Sequence, residues 1–434
     1  MTLRQLCRHG FRVMAVSATL VAATVIGPFT GAFASAKGDV VVGVLSTYTG
    51  ANAGYGQEGM AGCIPAMLVI NAAGGVMGHH VTCQEFNSNS DPADAVPETH
   101  RMLQLSNLLL TLGSGGTTAP AIVRLANAAK LTVFSETGQS LFNVNKYSYF
   151  WRDVPVDASQ GYAMAIATVM LGYTHVAAVF GQGVSSQGSR PSFVKGMKLL
   201  GHPVVDTVVL PTSAPSYTTQ IAGIQGHSAD AVVGEVDPAS SATFFSELKQ
   251  VYGKLPPLVG DQAYDEGPWL KSVGGAVGTT LTKRLTLVLP VATSAGPGFR
   301  QWKTTLVASS DPTGKTYVTD SYSAADFDAI VMTALAADEA HSLVSAKYNR
   351  LIRTVTNGVK GAVVVHTYAQ GVAALAKHKK IRYVGASGPI TFNKYHNWEP
   401  GYVLQKLTKN GLKQGRLVPT SVLNKLLTGH RAKA

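Results

Sequence analysis

Short apolar runs alternate along this chain with longer stretches whose apolar positions recur at helical spacing. The first such unit begins with the run Val40 to Leu45 and passes through a Ser/Thr/Gly-rich loop. It continues with Met60, Ile64, Met67 and Leu68 at helical spacing and stops at Gly74-Gly75. Strand, polar loop, helix and glycine stop make the first half of a β-α-β unit. Further strands are predicted at Val81 to Phe86, Leu108 to Leu112, Leu131 to Phe134 and Tyr149 to Arg152, with helices at Ala93 to Leu105 and Pro120 to Ala129. A second set opens after Pro155. Its helices are Gln160 to Leu171, Phe193 to Leu200, Thr218 to Gln225 and Ala239 to Tyr252. Its strands are Val176 to Phe180, Val204 to Leu210, Ala231 to Gly234, Leu258 to Gly260 and Thr286 to Leu289. A long helix, Ala324 to Ala340, follows. Strands separated this regularly by helices predict an α/β protein with parallel sheets covered on both faces. Two such sets, meeting near Asp153 to Asp157, predict two doubly wound lobes.

The N-terminal segment is built differently. Arg4, Arg8 and Arg12 precede the uncharged apolar run Val13 to Ile26, and Ala32-Phe33-Ala34 matches a small-x-small cleavage pattern. Residues 1–34 therefore read as a signal peptide. An uncleaved anchor is the alternative, because Val13 to Ala36 carries no charge, although Gly27, Pro28 and Gly31 interrupt the run. Cleavage would leave +9, the full chain's +12 less those three arginines. The excess charge is thinly spread, and the densest cluster, Lys377 to Arg382, lacks aromatic interleaving, so nothing points to nucleic acid. Export would leave Cys63 on the first helix and Cys83 on the next strand. In an oxidising compartment that pair suggests a disulfide, with two buried thiols as the alternative.

Several of these segments have familiar wording. Gly43-Val44-Leu45, Thr49-Gly50, Tyr55-Gly56 and Asn71 to Gly78 resemble the opening of the leucine/isoleucine/valine-binding proteins, the type I substrate-binding proteins of bacterial ABC importers. Phe150-Trp151-Arg152 with Pro155, Ser228 to Gly234, Tyr322 to Ala337 and Gly388 to Asn393 are similar to later parts of that family, in the same order. The resemblance implies a type I periplasmic-binding-protein fold whose two lobes are joined by a three-segment hinge. The chain would cross near residues 153–156, 289–292 and 388–392. Residues 37–153 and 290–389 would build the first lobe, and 154–289 with the 390–434 return and tail the second. A soluble protein of the periplasm or cell-wall space is implied, with no cofactor. It would capture an amino-acid-like solute (a branched-chain amino acid, an amide or a related compound) and deliver it to an ABC permease.

Candidate site residues follow from residue type and from the resemblance together. The loop Gly113-Ser114-Gly115-Gly116-Thr117-Thr118 joins a strand to a helix opening at Ala119-Pro120. Its glycines and the free amides of that helix suit a carboxylate, and the family binds its ligand's α-carboxylate there. An ordinary capped βα turn is the alternative. Gly138, Gln139 and Ser140 follow the next strand, where the family contacts the head group. Tyr55 matches an aromatic that closes over the ligand. Asp261, or Gln262 if the register slips, matches the acid that meets the ligand ammonium, and a helix-capping role competes with this.

The second lobe departs from the family pattern. Glu235-Val236-Asp237 stands where an aromatic or small polar residue is usual, and Ser185-Ser186-Gln187-Gly188 replaces an aromatic-glycine loop. Asp237 and Asp261 together would suit a cationic or polyamine-like group better than a leucine side chain. A sensor domain using the same cleft is the second functional reading. An enzyme is the third. Gly181-Gln182-Gly183 lacks the third glycine of a dinucleotide fingerprint, and neither a nucleophile elbow nor Walker A nor HExxH spacing occurs. A non-enzymatic binder with no metal is therefore expected.

Overall fold

The computed structural model describes residues 37–50, 52–113, 115–291, 296–311 and 314–434. The signal-peptide reading of residues 1–34 and the candidate Ser114 lie outside them. The chain begins with β1 (Lys37–Ser46), α1 (Glu58–Ala72), β2 (His79–Asn87), α2 (Pro92–Leu103), β3 (Leu108–Gly113), α3 (Ala119–Ala128), β4 (Val133–Ser135) and β5 (Phe150–Arg152). These five strands form one parallel sheet in the order β2-β1-β3-β4-β5. Alternation along β1 decides its faces. Val40, Val42 and Val44 join Ala61, Ala66 and Ile70 of α1 in one core, while Leu45 packs with Phe86, Met102 and Ile122 on the other side.

The second sheet starts after α4 (Asp157–Met170). It takes β6 (Val176–Gly181), α5 (Val184–Leu199), β7 (Asp206–Leu210), α6 (Thr218–Gly226), β8 (Ala231–Glu235), α7 (Pro238–Val251) and β9 (Leu258–Gly260). After α8 (Gly267–Val277) and α9 (Leu281–Arg284) comes β10 (Leu285–Pro290). The chain then returns to the first lobe with α10 (Pro297–Ala308), α11 (Ser321–Ala340), α12 (Ser345–Asn357), β11 (Val363–Val365), α13 (Tyr368–Leu375), β12 (Ile381–Gly385) and β13 (Gly388–Pro389). It ends with the hairpin β14 (Tyr402–Thr408) and β15 (Gly411–Leu417) and with α14 (Thr420–Leu427). The hairpin is antiparallel to β10 and completes a sheet of order β15-β14-β10-β9-β8-β6-β7. A small sheet, β11-β12-β13, stands beside the first lobe's helices. The chain passes between the two large sheets after β5, after β10 and after β13.

Helix α5 begins at Val184, nine residues before the spacing predicts. Gly188 and Pro191 break the apolar periodicity there, and packing on α4 restores the helix. A side chain at Gly161 would collide with Ser189 and Phe193, and one at Gly196 would lie 2.8 Å from Ala165 Cβ, so glycine permits the contact. Helix α1 carries Pro65 in its interior. Proline has no N–H to offer Ala61 four residues back. The Trp302 indole Nε1 donates to that carbonyl instead at 3.1 Å, which ties α10 to α1.

Among the described residues no helix is long and apolar enough to cross a membrane. Cys63 and Cys83 are joined by a disulfide across 20 residues, pinning α1 to β2. Closing a loop of that length removes unfolded-state entropy worth about 3 kcal/mol. Reduction, or a paired Cys63→Ala/Cys83→Ala replacement, is expected to lower stability by about that much in denaturant titrations. An unchanged midpoint would assign the bridge no stabilising role.

Candidate functional site

Open α/β sheets expose the carboxyl ends of their strands, and here both sheets turn those ends toward one cavity of about 150 Å³. From the first lobe come Ser46 and Thr47 at the end of β1, Tyr55 in the following turn, Glu58, Gly115 and Gly116 after β3, and Glu136 and Gly138 after β4. From the second come Asp157 and Gln160 of α4, the first turn of α5, Glu235 and Asp237 after β8, and Asp261, Gln262 and Glu266 after β9. Val154 and Pro155 of the first crossing lie between them, and Tyr322 of α11 completes the wall.

Of the sequence candidates, Tyr55, Gly115, Gly116, Gly138, Ser185, Asp237, Asp261 and Gln262 line this cavity. Thr117, Gln139 and Ser140 do not. Gln139 turns its amide back to donate to Gly116 O at 2.6 Å, and Ser140 is exposed at the start of a short 3-10 turn. Thr118 is buried and donates to Gly115 O, so its hydroxyl braces the loop and does not reach the cleft. A side chain at Gly115 would collide with Glu136 O, which keeps this loop and the one after β4 in close contact. The capping roles that competed for Asp237 and Asp261 are also present. Asp237 accepts from Ser240 N at 2.9 Å at the start of α7, and Asp261 accepts from Ala263 N at 3.2 Å. Both residues hold a helix start and present their carboxyls to the cavity.

Sequence reasoning caught the acids of the second lobe's loops, Glu235, Asp237 and Asp261, and passed over Glu58, Glu136, Asp157 and Glu266. Seven of the chain's 24 side-chain carboxylates line the cavity, and among the described residues no lysine, arginine or histidine does. Glu58 occupies the first turn of α1, where the helix dipole favours an anion. Burial nevertheless pushes its carboxyl well above the ordinary range, and Glu266 and Glu136 push it further. Glu266, fully buried, rises for the same reason, with Asp320 and Asp265 adding to the effect. Burial lifts Asp261 well up, and neighbouring Glu235 adds to it. Glu136 is pushed up to about 7, chiefly by loss of water. Asp157 is raised by burial and by Glu235, against a smaller opposing pull from Arg152. It fits so closely between Gly138 and Gly188 that a side chain at either glycine would collide with its carboxyl. Arg152 is the nearby cation, but it is spent elsewhere. Its guanidinium donates to Asn143 Oδ1 at 3.0 Å and Gln139 O at 2.8 Å, and burial lowers it to about 10.

Several polar atoms aimed into this space lack partners. No N–H or hydroxyl of the described residues donates to Glu58 Oε1, Asp157 Oδ2 or either oxygen of Glu266, and the Gln160 and Gln262 carbonyl oxygens are equally unserved. Buried polar atoms left this way are costly. An acidic cavity with no cation in its wall is chemically matched by donors carrying positive charge.

The fold has clear relatives. A curated amino acid binding protein of Pseudomonas aeruginosa is 33% identical over 110 residues, a match spanning 25% of this chain and 27% of that protein's length. A crystal structure of a leucine-binding protein from Thermotoga maritima superposes with a TM-score of 0.70 at 16% identity, covering 88% of this chain and 99% of that one. A solute-binding protein from R. palustris, solved with benzoate, gives 0.68 at 16% identity over 88% and 96% of the two chains. At those identities the likeness is one of fold. The family model described as periplasmic binding protein matches residues 39–409, nearly all of the described chain, and the protein belongs to that family.

Proposed function

We propose that this protein is the exported substrate-binding component of an ABC importer, which traps a small amino-acid-like solute between its lobes and delivers it to a membrane permease. The observation that carries this reading is the cavity itself. Its wall is shared by strand ends of both sheets, and the chain passes between those sheets three times, after β5, after β10 and after β13. Such linkers absorb backbone rotation and let two rigid lobes close on a solute. The ammonium of an amino-acid-like solute would pair with Asp261 and Glu235. The amides at Gly115 and Gly116, before the N-terminus of α3, offer donors to a polar head group. The described residues hold no arrangement of three or more histidine, cysteine or acidic side chains suited to a metal, and binding without turnover is the reading we adopt.

Closure is measurable. A thermal-shift screen of amino acids, amides, amines and aromatic acids identifies a stabilising solute, since a solute that binds only the folded state adds about 2.7 kcal/mol at 100 times its Kd. Small-angle scattering with that solute at saturation is expected to show a smaller radius of gyration than without it. An unchanged radius would remove hinge closure, and chemical conversion of the stabilising compound would replace binding with catalysis.

A further inference from the structure

The carboxyls of the cleft are too many for one ammonium, and they come from both lobes. Glu58 and Glu136 stand on the first lobe. Asp157, Glu235, Asp261 and Glu266 oppose them from the second. Among the described residues no N–H or other side-chain hydroxyl serves Glu58 Oε1, Asp157 Oδ2 or the Glu266 oxygens, Glu58 and Glu266 lie close enough to share a proton, and these three residues are at most 6% exposed. The Gly115–Gly116 loop, which a ligand carboxylate would need, adjoins Glu136 and is a poor place for a second anion. Tyr55 and Tyr322 add aromatic faces of the kind that attract cations.

A second cavity, of about 210 Å³, lies at the crossings. It shares Val154, Gln262 and Tyr322 with the first, so the two adjoin. Its wall includes Asp153, Asp265 and Asp320, together with one lysine, Lys303. Neither oxygen of Asp153 has a well-placed donor, and Asp265 has only Ser321 beside it, whose pull on its carboxyl is outweighed by burial. Acidic groups therefore continue from the cleft toward the hinge.

We propose that the solute is an elongated organic polycation of the linear polyamine type, with one cationic nitrogen between Glu58 and Glu266, another at Glu235 and Asp261, and its chain directed past Tyr322 toward the hinge cavity. This rests on the solute-binding reading above and specifies its ligand class. A flexible chain carrying several N–H donors would supply partners to acceptors that the protein leaves unserved, and its positive charges would relieve the repulsion among them. A branched apolar side chain would do neither.

Isothermal titration separates this proposal from the broader one. Spermidine, putrescine, butylamine, lysine, leucine, benzoate and magnesium are titrated into the protein at physiological salt. Spermidine is expected to bind roughly 100-fold or more tightly than butylamine or leucine, because each desolvated charge pair contributes several-fold to many-fold in affinity. Glu235→Gln and Glu58→Gln are each expected to weaken spermidine roughly thirty-fold or more without lowering the melting temperature of the empty protein. Leucine or benzoate binding in preference to every amine would overturn the polycation and leave the solute-binding reading standing. Magnesium competing equally with spermidine would reduce the effect to a diffuse cation atmosphere and overturn it as well. Wild-type spermidine affinity in both variants would also overturn it. No binding by any compound would count against both readings.

Discussion

Ligand-free protein is expected to melt at a higher temperature at pH 5.5 than at pH 8, the reverse of the usual behaviour of a protein stabilised by carboxylates. The sign follows from which way the buried acids are shifted. Glu136 is pushed up to about 7, and Asp320 and Asp328 up to about 6, in each case mainly by burial. Glu58, Asp153, Asp157, Asp261, Asp265, Glu266 and Asp326 all move in the same direction for the same leading reason. A raised carboxyl holds a proton in the folded protein that the unfolded chain has already released. Stability therefore falls as pH rises from the ordinary carboxylate range, near 4, through about 7. Asp320 and Asp328, with carboxyls raised to about 6, release their protons within that window. The opposing contribution comes from His396. Its ring stacks on Trp151 with centroids 3.8 Å apart, and burial lowers its affinity for a proton, so it costs stability on acidification. One imidazole is outweighed by this many carboxyls. Differential scanning calorimetry is expected to show a gain on the order of 5 °C or more at the lower pH. A melting temperature that rises from pH 5.5 to 8 would mean that the cleft acids are hydrated and unshifted. Saturating spermidine should narrow the difference, since ionised carboxyls then have partners.

This charge arrangement also explains what could be read from the sequence. The first lobe was legible because β1 and α1 each show one clear period, with Val40, Val42 and Val44 facing one core and a glycine stop at Gly74-Gly75. The α5 start was hidden because glycines at the α4–α5 contact replace the apolar side chains that would mark it. The β14–β15 hairpin was hidden for another reason. Edge strand β15 reads Gly-Leu-Lys-Gln-Gly-Arg-Leu and faces solvent along much of its length. Helix α12 and strand β12, beside the Lys377 to Arg382 cluster, were likewise passed over as polar surface. In the site, Asp237, Asp261 and Tyr55 stood out because each follows a strand end. Glu58 and Glu266 did not, since each lies past a loop at a helix start, where an acid is unremarkable. Only the fold brings those two carboxyls to face one another across the cleft.

Two aspartates on α11, two positions apart, are expected to respond to the same substitution with opposite signs. Asp328 is fully buried and well served. Its Oδ1 accepts from Tyr383 OH at 2.7 Å and from Ala386 N at 2.8 Å, and its Oδ2 accepts from Ser387 N at 2.7 Å. These bonds fix the β12–β13 turn to the helix. Asp328→Asn would set an amide N–H against one of those donors, and Asp328→Ala would orphan all three. With about 1–3 kcal/mol for each unserved buried group, a loss of about 3–5 kcal/mol is expected for the alanine and somewhat less for the asparagine. Asp326 faces the other way. Its Oδ2 has no donor, its Cβ would lie only 2.5 Å from any side chain at Gly62, and Glu136 and Asp153 raise its carboxyl beyond the effect of burial. Asp326→Asn removes a buried like charge and provides an N–H toward Glu136, so stability at pH 8 should rise by about 1–2 kcal/mol. Urea titration of the three variants at pH 8 decides the matter, and a loss of stability in Asp326→Asn would show that its charge is already compensated. A gain would place Asp326 among residues that weaken the empty protein, the pattern expected where acidic groups serve a bound cation and not the fold.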